Sequence, residues 1–231
     1  RKRKFSTMKM KCVIFGITDF GRMLRYYIEK YTDVEISAFS CDKKYMTENM
    51  FDGLPVVEFE NIENVYSPQD YSMIIGIGYS SMNELRKRKF QEAKNKGYRL
   101  ENFIHPTVVN ECRKMGEGNI IFENVTLAYG TEIGDGNIIW NGCQISHETV
   151  IGNFNYIAVS CVLAGKTIIK NNCFLGINCA VQGKTILNDY TLIGAECFVK
   201  ENTKEYSVYV PARSICLENK KSIDMPYVRK E

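Results

Sequence analysis

Hydrophobic residues recur at every sixth position over the second half of the chain. Stepping by six from Ile133 gives an Ile, Leu or Val at each of twelve successive positions, which end at Val199. Stepping backward extends the series through four further apolar residues: Leu127, Ile121, Met115 and Val109. We therefore expect sixteen hexapeptides in one register over residues 109–204. Because a period of six fits neither an amphipathic helix nor an alternating strand, it indicates a repeat architecture.

Two other positions of the hexapeptide are occupied mainly by small residues. The fifth position holds five of the nine cysteines: Cys143, Cys161, Cys173, Cys179 and Cys197. We expect these thiols to be buried packing residues, which is how free cysteine often behaves in protein cores. The second position is often glycine or alanine, which we interpret as a requirement for tight backbone turns.

A period of six fits a coil with three flat sides, each made of a short strand and a turn. The apolar first position would point into the resulting prism, and successive coils would stack at roughly the 4.8 Å spacing of neighbouring strands. Each coil would bury its apolar side chains only against its neighbours, as in other solenoids. The sequence therefore predicts a parallel β-helix of a little over five coils.

The first hundred residues follow a different pattern, in which apolar strands alternate with helices. Strands are predicted over residues 11–15, 35–40, 71–77 and 99–104, and helices over residues 22–29 and 82–96. This alternation implies a small parallel sheet in a Rossmann-like α/β domain. Residues 16–21 form a glycine-bounded turn, in which Thr18 or Asp19 can cap the following helix. Such a turn can bind a phosphate, although it lacks the GxGxxG pattern; an inert α/β cap is the alternative.

Charge and composition restrict the classes of function. The net charge is +3, from 30 basic and 27 acidic residues, which is too balanced to indicate nucleic-acid binding. The basic run at residues 86–89 is interpreted as a solvated helix face rather than an anion site. With two histidines and no CxxC pair, neither a metal site nor a disulfide framework is expected.

Targeting signals are not expected either. No apolar run approaches the ~20 residues of a membrane span. The basic residues 1–4 are not followed by an apolar stretch, so we do not interpret them as a secretory signal. Residues 1–8 are set aside from the fold.

The hexapeptide pattern, [LIV]-[GA]-x-x-[STCN]-x, resembles that of the hexapeptide-repeat acyltransferases. With an α/β segment in front, the chain is similar to the nucleotide-sugar N-acetyltransferases, typified by the enzyme of bacterial bacillosamine synthesis. The resemblance covers about residues 10–215 and is closest at residues 147–152 (HETVIG) and 172–178 (NCFLGIN). Residues 210–213 (VPAR) resemble the family's terminal motif, with Tyr209 where glycine is usual.

This resemblance implies an organisation and an activity. An α/β domain over residues 9–105 would hold a nucleotide-linked amino sugar, and a left-handed parallel β-helix over residues 106–215 would hold acetyl-CoA. Residues 216–231 would form a tail. The family implies a cytoplasmic homotrimer with acetyl-CoA between adjacent prisms. The implied reaction is transfer of acetyl to the amino group of the nucleotide-linked amino-dideoxy sugar, for bacterial surface-glycan precursors.

The implied catalytic pair is His147 and Glu148. In the family the histidine of this pair is the proposed general base, and the glutamate orients its imidazole. An attacking amine must be neutral and must lose a proton, and an imidazole with an ordinary pKa of ~6.5 suits that task. A carboxylate partner would fix the tautomer. From the residues alone, a surface corner histidine is the alternative. His105 matches the family's linker histidine and is interpreted as structural.

The residues implied to bind acetyl-CoA are Gly165, Ile177 and Ala195, through backbone groups, together with Tyr156. The family often has a second histidine at the position of Tyr156, near the thioester. A phenol or the local backbone N–H would have to replace that histidine here.

The residues implied to bind the nucleotide sugar are Gly16, Thr18, Asp19, Asp42 and Lys43. The turn departs from the family's glycine-rich loop. Asp19 would be unfavourable near a diphosphate unless it caps the helix or binds a hydroxyl. The usual acidic pair after the second strand is Cys41-Asp42 here, which leaves one carboxylate for the base or ribose.

Two other functions stay open. The altered turn and Cys41 favour slightly a sugar O-acetyltransferase, or an acetyltransferase on a sugar without a nucleotide. A non-catalytic β-helix scaffold or carrier is a more distant alternative, against which the His147–Glu148 pair and residues 175–178 argue. The identity of the sugar and of the nucleotide stays open.

Overall fold

The N-terminal part contains a five-stranded sheet and two helices. The computed structural model describes residues 10–214, 216–218 and 220–224. The predictions for residues 1–8, for residues 9 and 215 at the outer ends of the two predicted domains, and for residues 219 and 225–231 of the tail lie outside the described residues. The strands are β1 (Lys11–Phe15), β2 (Glu35–Cys41), β3 (Met50–Phe51), β4 (Leu54–Glu58) and β5 (Tyr71–Ile75). The α-helices are α1 (Asp19–Tyr31) and α2 (Glu84–Asn95), and short 3-10 helices cover Lys43–Tyr45, Ile62–Asn64 and Ser222–Asp224.

This sheet is mixed rather than wholly parallel. Its order is β3-β4-β2-β1-β5, and the pairs β4-β2, β2-β1 and β1-β5 are parallel, as the alternation predicted. β3 instead runs antiparallel to β4. Asp52 and Gly53 form the loop of this hairpin with φ of 49° and 76°, the conformation that an Asp-Gly turn adopts readily. This hairpin was not predicted from the sequence, because β3 has only two residues and β4 contains Pro55.

From Phe103 onward the chain forms the three sides of a left-handed β-helix. Face 1 contains β6 (Phe103–Ile104), β9 (Ile120–Ile121), β12 (Ile138–Ile139), β15 (Tyr156–Ile157), β18 (Phe174–Leu175), β21 (Leu192–Ile193) and β23 (Val208–Tyr209). Face 2 contains β7 (Val109–Asn110), β10 (Thr126–Leu127), β13 (Gln144–Ile145), β16 (Val162–Leu163), β19 (Ala180–Val181) and β22 (Phe198–Val199). Face 3 contains β8 (Lys114–Met115), β11 (Glu132–Ile133), β14 (Val150–Ile151), β17 (Ile168–Ile169) and β20 (Ile186–Leu187). All pairings within these faces are parallel, so the predicted β-helix is confirmed.

The first-position residues that point into the prism form an inward ladder. This ladder follows the predicted register except in its first coil. Every first-position residue from Ile133 to Val199 is at most 3% exposed. Leu127, however, pairs with Asn110 instead of Val109, so the predicted start of the ladder is wrong by one residue. Val109 is 55% exposed, and Val108 packs against the core in its place. β6 and β23 extend the prism beyond residues 109–204, and the domain division at residues 105/106 stays a prediction.

The small second and fifth positions have different physical causes. The five fifth-position cysteines are buried, as expected. The second-position glycines do not have positive φ, so the tight-turn interpretation is wrong for them. A Cβ on Gly134 would meet the carbonyl oxygen of Gly152 in the next coil at 2.7 Å. The position is therefore small because the neighbouring coil is close, whereas positive φ occurs at the fourth position, as at Glu148 (55°).

The basic run at residues 86–89 is half buried, which contradicts the solvated-face interpretation. Arg86 and Lys89 are 1% and 5% exposed, and only Lys87 and Arg88 lie toward solvent. The guanidinium of Arg86 donates to five main-chain carbonyls: those of Ile77, Gly78, Gly136, Phe154 and Asn155. Burial lowers the pKa of Arg86 to about 9, so the group is still charged at neutral pH. Arg86 thereby fixes α2 to the turns that lead from face 3 to face 1, the 3–1 edge.

Face 1 is the side of the prism that the N-terminal part covers, since Phe20 and Tyr27 of α1 pack against Trp140 and Phe122. Its outward residues Ile120 and Ile138 are 1% and 0% exposed. They belong to the same apolar cluster as Ile14 of β1 and Phe39 of β2. The two parts of the chain therefore share a core, which leaves faces 2 and 3 uncovered by the N-terminal sheet.

Candidate active site

His147 lies in a column of turns that connect face 2 to face 3, the 2–3 edge. Strand pairing throughout β8–β22 joins residues 18 apart, so each turn residue lies over the residue 18 positions earlier. The third position of these hexapeptides is occupied in successive coils by Tyr129, His147, Gly165 and Gly183. Glu148 N donates to Tyr129 O at 2.9 Å, and Lys166 N donates to His147 O at 3.0 Å, which fixes the three turns in this order.

The predicted catalytic residues form a hydrogen-bonded pair. His147 Nδ1 lies 3.1 Å from Glu148 Oε2, and both side chains are about half exposed, at 57% and 50%. The bond to His147, and then the charge of Lys166, lower the pKa of Glu148, so it is ionised at neutral pH. An ionised carboxylate can only accept, so Nδ1 carries a proton, and in the neutral imidazole the lone pair is on Nε2. Nε2 is thus the atom able to take a proton from a substrate.

Gly165 lies directly against the imidazole. A Cβ on Gly165 would lie closer than 3.0 Å to three ring atoms of His147, Nε2 among them. Any larger residue there would displace the imidazole. Gly183 continues the column, and a Cβ on it would come within 2.9 Å of Gly165 O. Above His147 the third position therefore carries no side chain in two successive coils. This gap, the notch, is flanked by Val162 and Ile168, which are 42% and 37% exposed.

The other residues expected at the acetyl-CoA site lie elsewhere on the prism. Ile177 and Ala195 occupy successive turns between face 1 and face 2, the 1–2 edge, where Glu196 N donates to Ile177 O at 2.9 Å. Ile177 is 56% exposed. Within one chain, the structure therefore joins Gly165 to the His147 pair but leaves Ile177 and Ala195 on a different edge.

Tyr156 lies on face 1, away from the 2–3 edge. Its ring stacks on Phe174 at a centroid distance of 5.3 Å and 3° between planes, and Tyr79 packs edge-on against it at 4.9 Å. Burial raises the pKa of the Tyr156 phenol above its usual value. In this chain Tyr156 thus contacts the N-terminal part and not the His147 edge of the same prism.

The residues expected to bind the nucleotide sugar share the carboxyl edge of the N-terminal sheet. Gly16 has φ of 126°, and its N–H donates to Ser40 O at 2.8 Å, which joins the turn after β1 to the end of β2. Thr18 caps α1, since its Oγ1 accepts from Gly21 N at 3.0 Å. Asp19 lies in the first turn of α1, with its side chain 97% exposed and paired to Arg22 at 3.0 Å.

Asp42 and Lys43 follow β2, but the carboxylate of Asp42 is already paired. Lys89 Nζ lies 2.5 Å from both Asp42 Oδ1 and Glu92 Oε2. Burial alone would lower the pKa of Lys89, but the hydrogen bonds to Asp42 and Glu92 raise it. The carboxylate expected to be available for the base or ribose is therefore neutralised by a buried lysine. Lys43 is exposed and lies 3.2 Å from Glu58.

A cavity of about 580 Å³ lies beside this ion pair. Its lining residues include Asp42, Lys44, Phe59, Lys89 and Lys96. No sequence signal pointed to Lys89, since its contact with Asp42 spans 47 residues. Lys166, in contrast, stands 18 residues after Glu148, so the period of the prism could have found it.

Neither a metal site nor a membrane span is present in the part of the chain that the structure describes. Over residues 10–214, 216–218 and 220–224, no three His, Cys, Asp or Glu side chains are grouped to hold a metal ion. Neither described α-helix has the length and apolar character needed to cross a bilayer.

The fold defines a class: a Rossmann-like α/β domain followed by a left-handed β-helix, as in the hexapeptide-repeat sugar acetyltransferases. The acetyltransferase domain of PglB from Neisseria gonorrhoeae is 20% identical, with a TM-score of 0.74, over 86% of this chain and 95% of that one. PerB from Caulobacter crescentus, solved with CoA and GDP-perosamine, is 23% identical, with a TM-score of 0.76, over 86% and 92%. A mutant of GDP-perosamine N-acetyl transferase from Caulobacter crescentus, with the same ligands, is 22% identical, with a TM-score of 0.67, over the same shares.

These likenesses confirm, at the level of the fold, the resemblance inferred from residues 147–152 and 172–178. No protein-family model and no curated protein sequence matches the chain.

Proposed function

We propose that the protein is an acetyltransferase that moves acetyl from acetyl-CoA to the amino group of a nucleotide-linked amino-dideoxy sugar. The observation that carries this proposal is the His147–Glu148 pair against the side-chain-free Gly165. It stands in a fold shared with an N-acetyl transferase solved with CoA and GDP-perosamine. We assign the chain to the cytoplasm, where acetyl-CoA is available, and its product to bacterial surface-glycan precursors.

In the proposed reaction His147 is the general base and Glu148 the residue that holds it. The amine nitrogen forms a bond to the acetyl carbon, and the bond between that carbon and the CoA sulfur breaks. Nε2 of His147 accepts the proton that the nitrogen loses, and the departing thiolate takes up a proton. Glu148 stabilises the imidazolium that forms in between, because its own charge is retained at neutral pH.

The residues of the 2–3 edge fit the extended arm of acetyl-CoA that carries the thioester. Gly165 and Gly183 leave the edge open over two coils above His147, roughly 10 Å at the usual strand spacing. Exposed apolar residues of faces 2 and 3 flank this notch, and an apolar chain gains by covering them. Gly165 N–H or C=O would then contact the arm by backbone, as expected from the sequence.

Ile177 and Ala195 can join that site only through a second copy of the chain. We propose a homotrimer in which the 2–3 edge of one copy faces the 1–2 edge of the next. Such head-to-tail contacts close into a ring. Both edges border face 2, so face 2 would turn toward the symmetry axis. Its outward residues Val162 and Phe198 are 42% and 65% exposed and would be covered there. Tyr156 would then act toward a neighbouring copy.

We assign acceptor binding to the N-terminal domain, residues 9–105, and acetyl-CoA binding to residues 106–215. The turn from Gly16 to Thr18 leads into the N-terminus of α1, where a diphosphate would be stabilised. Asp19 opposes such a group by charge, so its exposed carboxylate would contact a hydroxyl instead. Lys43 is exposed and free to move from Glu58 to a phosphate.

One observation favours the second candidate, a sugar acceptor without a nucleotide. The Asp42 carboxylate, expected at the base or ribose, is held by Lys89 in a buried ion pair. A nucleotide that used Asp42 would have to break that pair. An O-acetyltransferase on a free sugar would not need it.

The test is a calorimetric titration of the protein with acetyl-CoA, followed by turnover with UDP-, dTDP- and GDP-linked amino-dideoxy sugars. We expect acetyl-CoA to bind and one nucleotide sugar to be N-acetylated. If acetyl-CoA binds but no nucleotide sugar binds or is acetylated, the acceptor is a sugar without a nucleotide. If neither substrate class binds, the β-helix has a non-catalytic role.

A further inference from the structure

The residues just before α2 form a strained turn. Ser81, Met82 and Asn83 have φ of 52°, 50° and 69°, so three successive residues other than glycine adopt the left-handed conformation. This conformation costs free energy for such residues, and it persists only where surrounding contacts hold it. The helix predicted from residue 82 therefore begins only at Glu84.

Contacts with the prism hold this turn in place. Asn83 is fully buried, and its Nδ2 donates to Cys173 O at 3.1 Å. Asn172 Nδ2 donates to Met82 O, also at 3.1 Å. Within the turn, Asn83 N donates to Tyr79 O at 3.2 Å. The strained turn therefore fixes the place of Tyr79, the residue at its start.

Tyr79 ends a row of aromatic side chains along face 1. Phe20, in the first turn of α1, lies 5.9 Å from Trp140 between ring centroids, and Trp140 lies 6.3 Å from Tyr156. Tyr79 packs edge-on against Tyr156 and Phe174, at 4.9 and 5.1 Å. We call these five residues the aromatic row. Because Tyr79 is 56% exposed, this end of the row is open to a ligand.

The aromatic row begins at the crevice of the N-terminal sheet. β1 and β5 are neighbours, but α1 packs with Ile14 of β1 and α2 with Val13, so the two helices lie on opposite faces of the sheet. Open α/β sheets bind ligands at the carboxyl ends of the strands where the helices change face. Thr18 Oγ1 donates to Gly76 O at 3.3 Å, which joins the segments after β1 and β5 at that point. A group attached to a diphosphate at the N-terminus of α1 would therefore lie beside the aromatic row.

We propose that Tyr79 is a specificity-determining residue that contacts the sugar ring of the acceptor and selects a deoxy sugar. The proposal rests on the proposed acetyltransferase function and deepens it. An aromatic surface gains from contact with C–H and methyl groups, whereas a hydroxyl pressed against it loses a hydrogen bond to water without gaining another. A sugar with a methyl group in place of a hydroxymethyl group is therefore favoured. Tyr79 takes no part in proton transfer.

The experiment is steady-state kinetics with two acceptors linked to the nucleotide that the wild type uses: an amino-dideoxy sugar and the amino sugar that keeps the hydroxymethyl group. The wild type should prefer the deoxy sugar by about tenfold or more in kcat/KM. Tyr79→Ala should lower this preference to about twofold, and should raise the KM for the deoxy sugar by about fivefold without changing the KM for acetyl-CoA. Tyr79→Phe keeps the ring and should keep the preference. Tyr26→Ala, at a tyrosine of α1 that is 57% exposed, is the matched control and should change none of these values.

Asn83→Gly tests the role of the strained turn. Glycine adopts a φ of 69° without strain, but this variant loses the bond to Cys173 that holds the turn against the prism. The preference for the deoxy sugar should fall, by less than in Tyr79→Ala. Binding can be followed without turnover, because Trp140 is the only tryptophan of the chain and belongs to the aromatic row. Its fluorescence should change with the nucleotide sugar and not with the nucleoside diphosphate alone.

Failure of this inference can be told apart from failure of the proposed function. If the wild type acetylates no nucleotide-linked amino sugar, the function fails and the inference fails with it. If wild-type turnover is normal and Tyr79→Ala keeps the full preference for the deoxy sugar, or changes only the KM for acetyl-CoA, Tyr79 does not set specificity while the function stands. If the nucleoside diphosphate alone changes the Trp140 fluorescence as much as the nucleotide sugar does, the aromatic row does not hold the sugar.

Discussion

The 2–3 edge and the 3–1 edge of the prism are built from the same hexapeptide turns but differ at the third position. On the 3–1 edge this position holds Asp135, Asn153, Asn171 and Asp189. Each of these side chains accepts a hydrogen bond from a backbone N–H of the preceding coil, at 2.7–2.9 Å. On the 2–3 edge the same position holds Tyr129, His147, Gly165 and Gly183, which form no such ladder.

The comparison teaches how one repeat supplies both an anchor and a site. On the 3–1 edge, side chains of the same chain hydrogen-bond to the backbone groups of the turns. They are the third-position ladder, a second ladder of buried Asn119, Asn137 and Asn155, and Arg86. On the 2–3 edge the side-chain bonds of the turns come from buried threonines such as Thr131 and Thr167, and Tyr129 and His147 at the third position face outward. Substitutions on the first edge should therefore reduce stability, and substitutions on the second should reduce activity.

The largest effect on stability is expected at Arg86. Arg86→Met removes the guanidinium and leaves the carbonyls of Gly78, Gly136, Phe154 and Asn155 without their buried donor. We expect a loss of about 3–5 kcal/mol in the free energy of unfolding, measured by urea denaturation. Arg88→Met is the matched control from the same basic run. Its side chain is 59% exposed, so a change below about 0.5 kcal/mol is expected. Equal losses in the two variants would contradict the anchoring role of Arg86.

Asn137→Ala should have the next largest effect. Asn137 Nδ2 donates to Gly152 O at 2.9 Å, and its Oδ1 accepts from Asn155 N at 2.9 Å, both in a fully buried turn. Leaving these partners unpaired should cost roughly 2–3 kcal/mol in the free energy of unfolding. His147→Ala, on the exposed edge, should cost less than about 0.5 kcal/mol in the same experiment. A stability loss at His147 as large as that at Asn137 would remove the distinction between the edges.

Gly165→Ala and Gly183→Ala should separate the two functions of the 2–3 edge. The added methyl at residue 165 displaces the imidazole, so kcat should fall by on the order of a hundredfold. At residue 183 the methyl lies one coil farther from His147 and meets the Gly165 carbonyl oxygen at 2.9 Å, so the KM for acetyl-CoA should rise while kcat falls less than it does at residue 165. Steady-state kinetics in both substrates tests this, and a kcat loss at Gly183 that matches the loss at Gly165 would argue against the assignment.

Glu148→Gln should have the smallest effect. The carboxylate stabilises the protonated imidazole, and an amide does not. The acid limb of the pH profile of kcat should therefore move to lower pH. Because the pair is half exposed, water can replace part of this contact, and kcat at its plateau should fall by only about tenfold. The measurement is kcat against pH for both proteins, and an unmoved acid limb would mean that Glu148 does not act on His147.

The prism could be predicted from the sequence because its period converts sequence distance into spatial distance. A residue and its neighbour 18 positions later are in contact, so the inward ladder, the buried cysteines and the His147–Gly165 contact follow from the spacing. There are two exceptions. The first coil has 17 residues instead of 18, so Val109 is displaced from the inward ladder. The second position is small because the next coil is close, and turn propensities do not reveal that contact.

The N-terminal part was less predictable because its important contacts join distant residues without a fixed spacing. The Lys89–Asp42 pair spans 47 residues, and the bond from Arg86 to Gly136 spans 50. A run of four basic residues is usually solvated, and only packing against the prism shows which two are buried. For the same reason the sequence did not indicate that Asp42 is neutralised.

The most direct test of the central claim is a comparison of the wild-type protein with His147→Ala in two measurements. Calorimetry gives the affinity for acetyl-CoA, and initial rates give kcat with the nucleotide-linked amino sugar that the wild type acetylates. We predict an unchanged acetyl-CoA affinity and a kcat lower by a factor on the order of 10²–10⁴. Near wild-type kcat in the variant would contradict the account, because the 2–3 edge would then not supply the base.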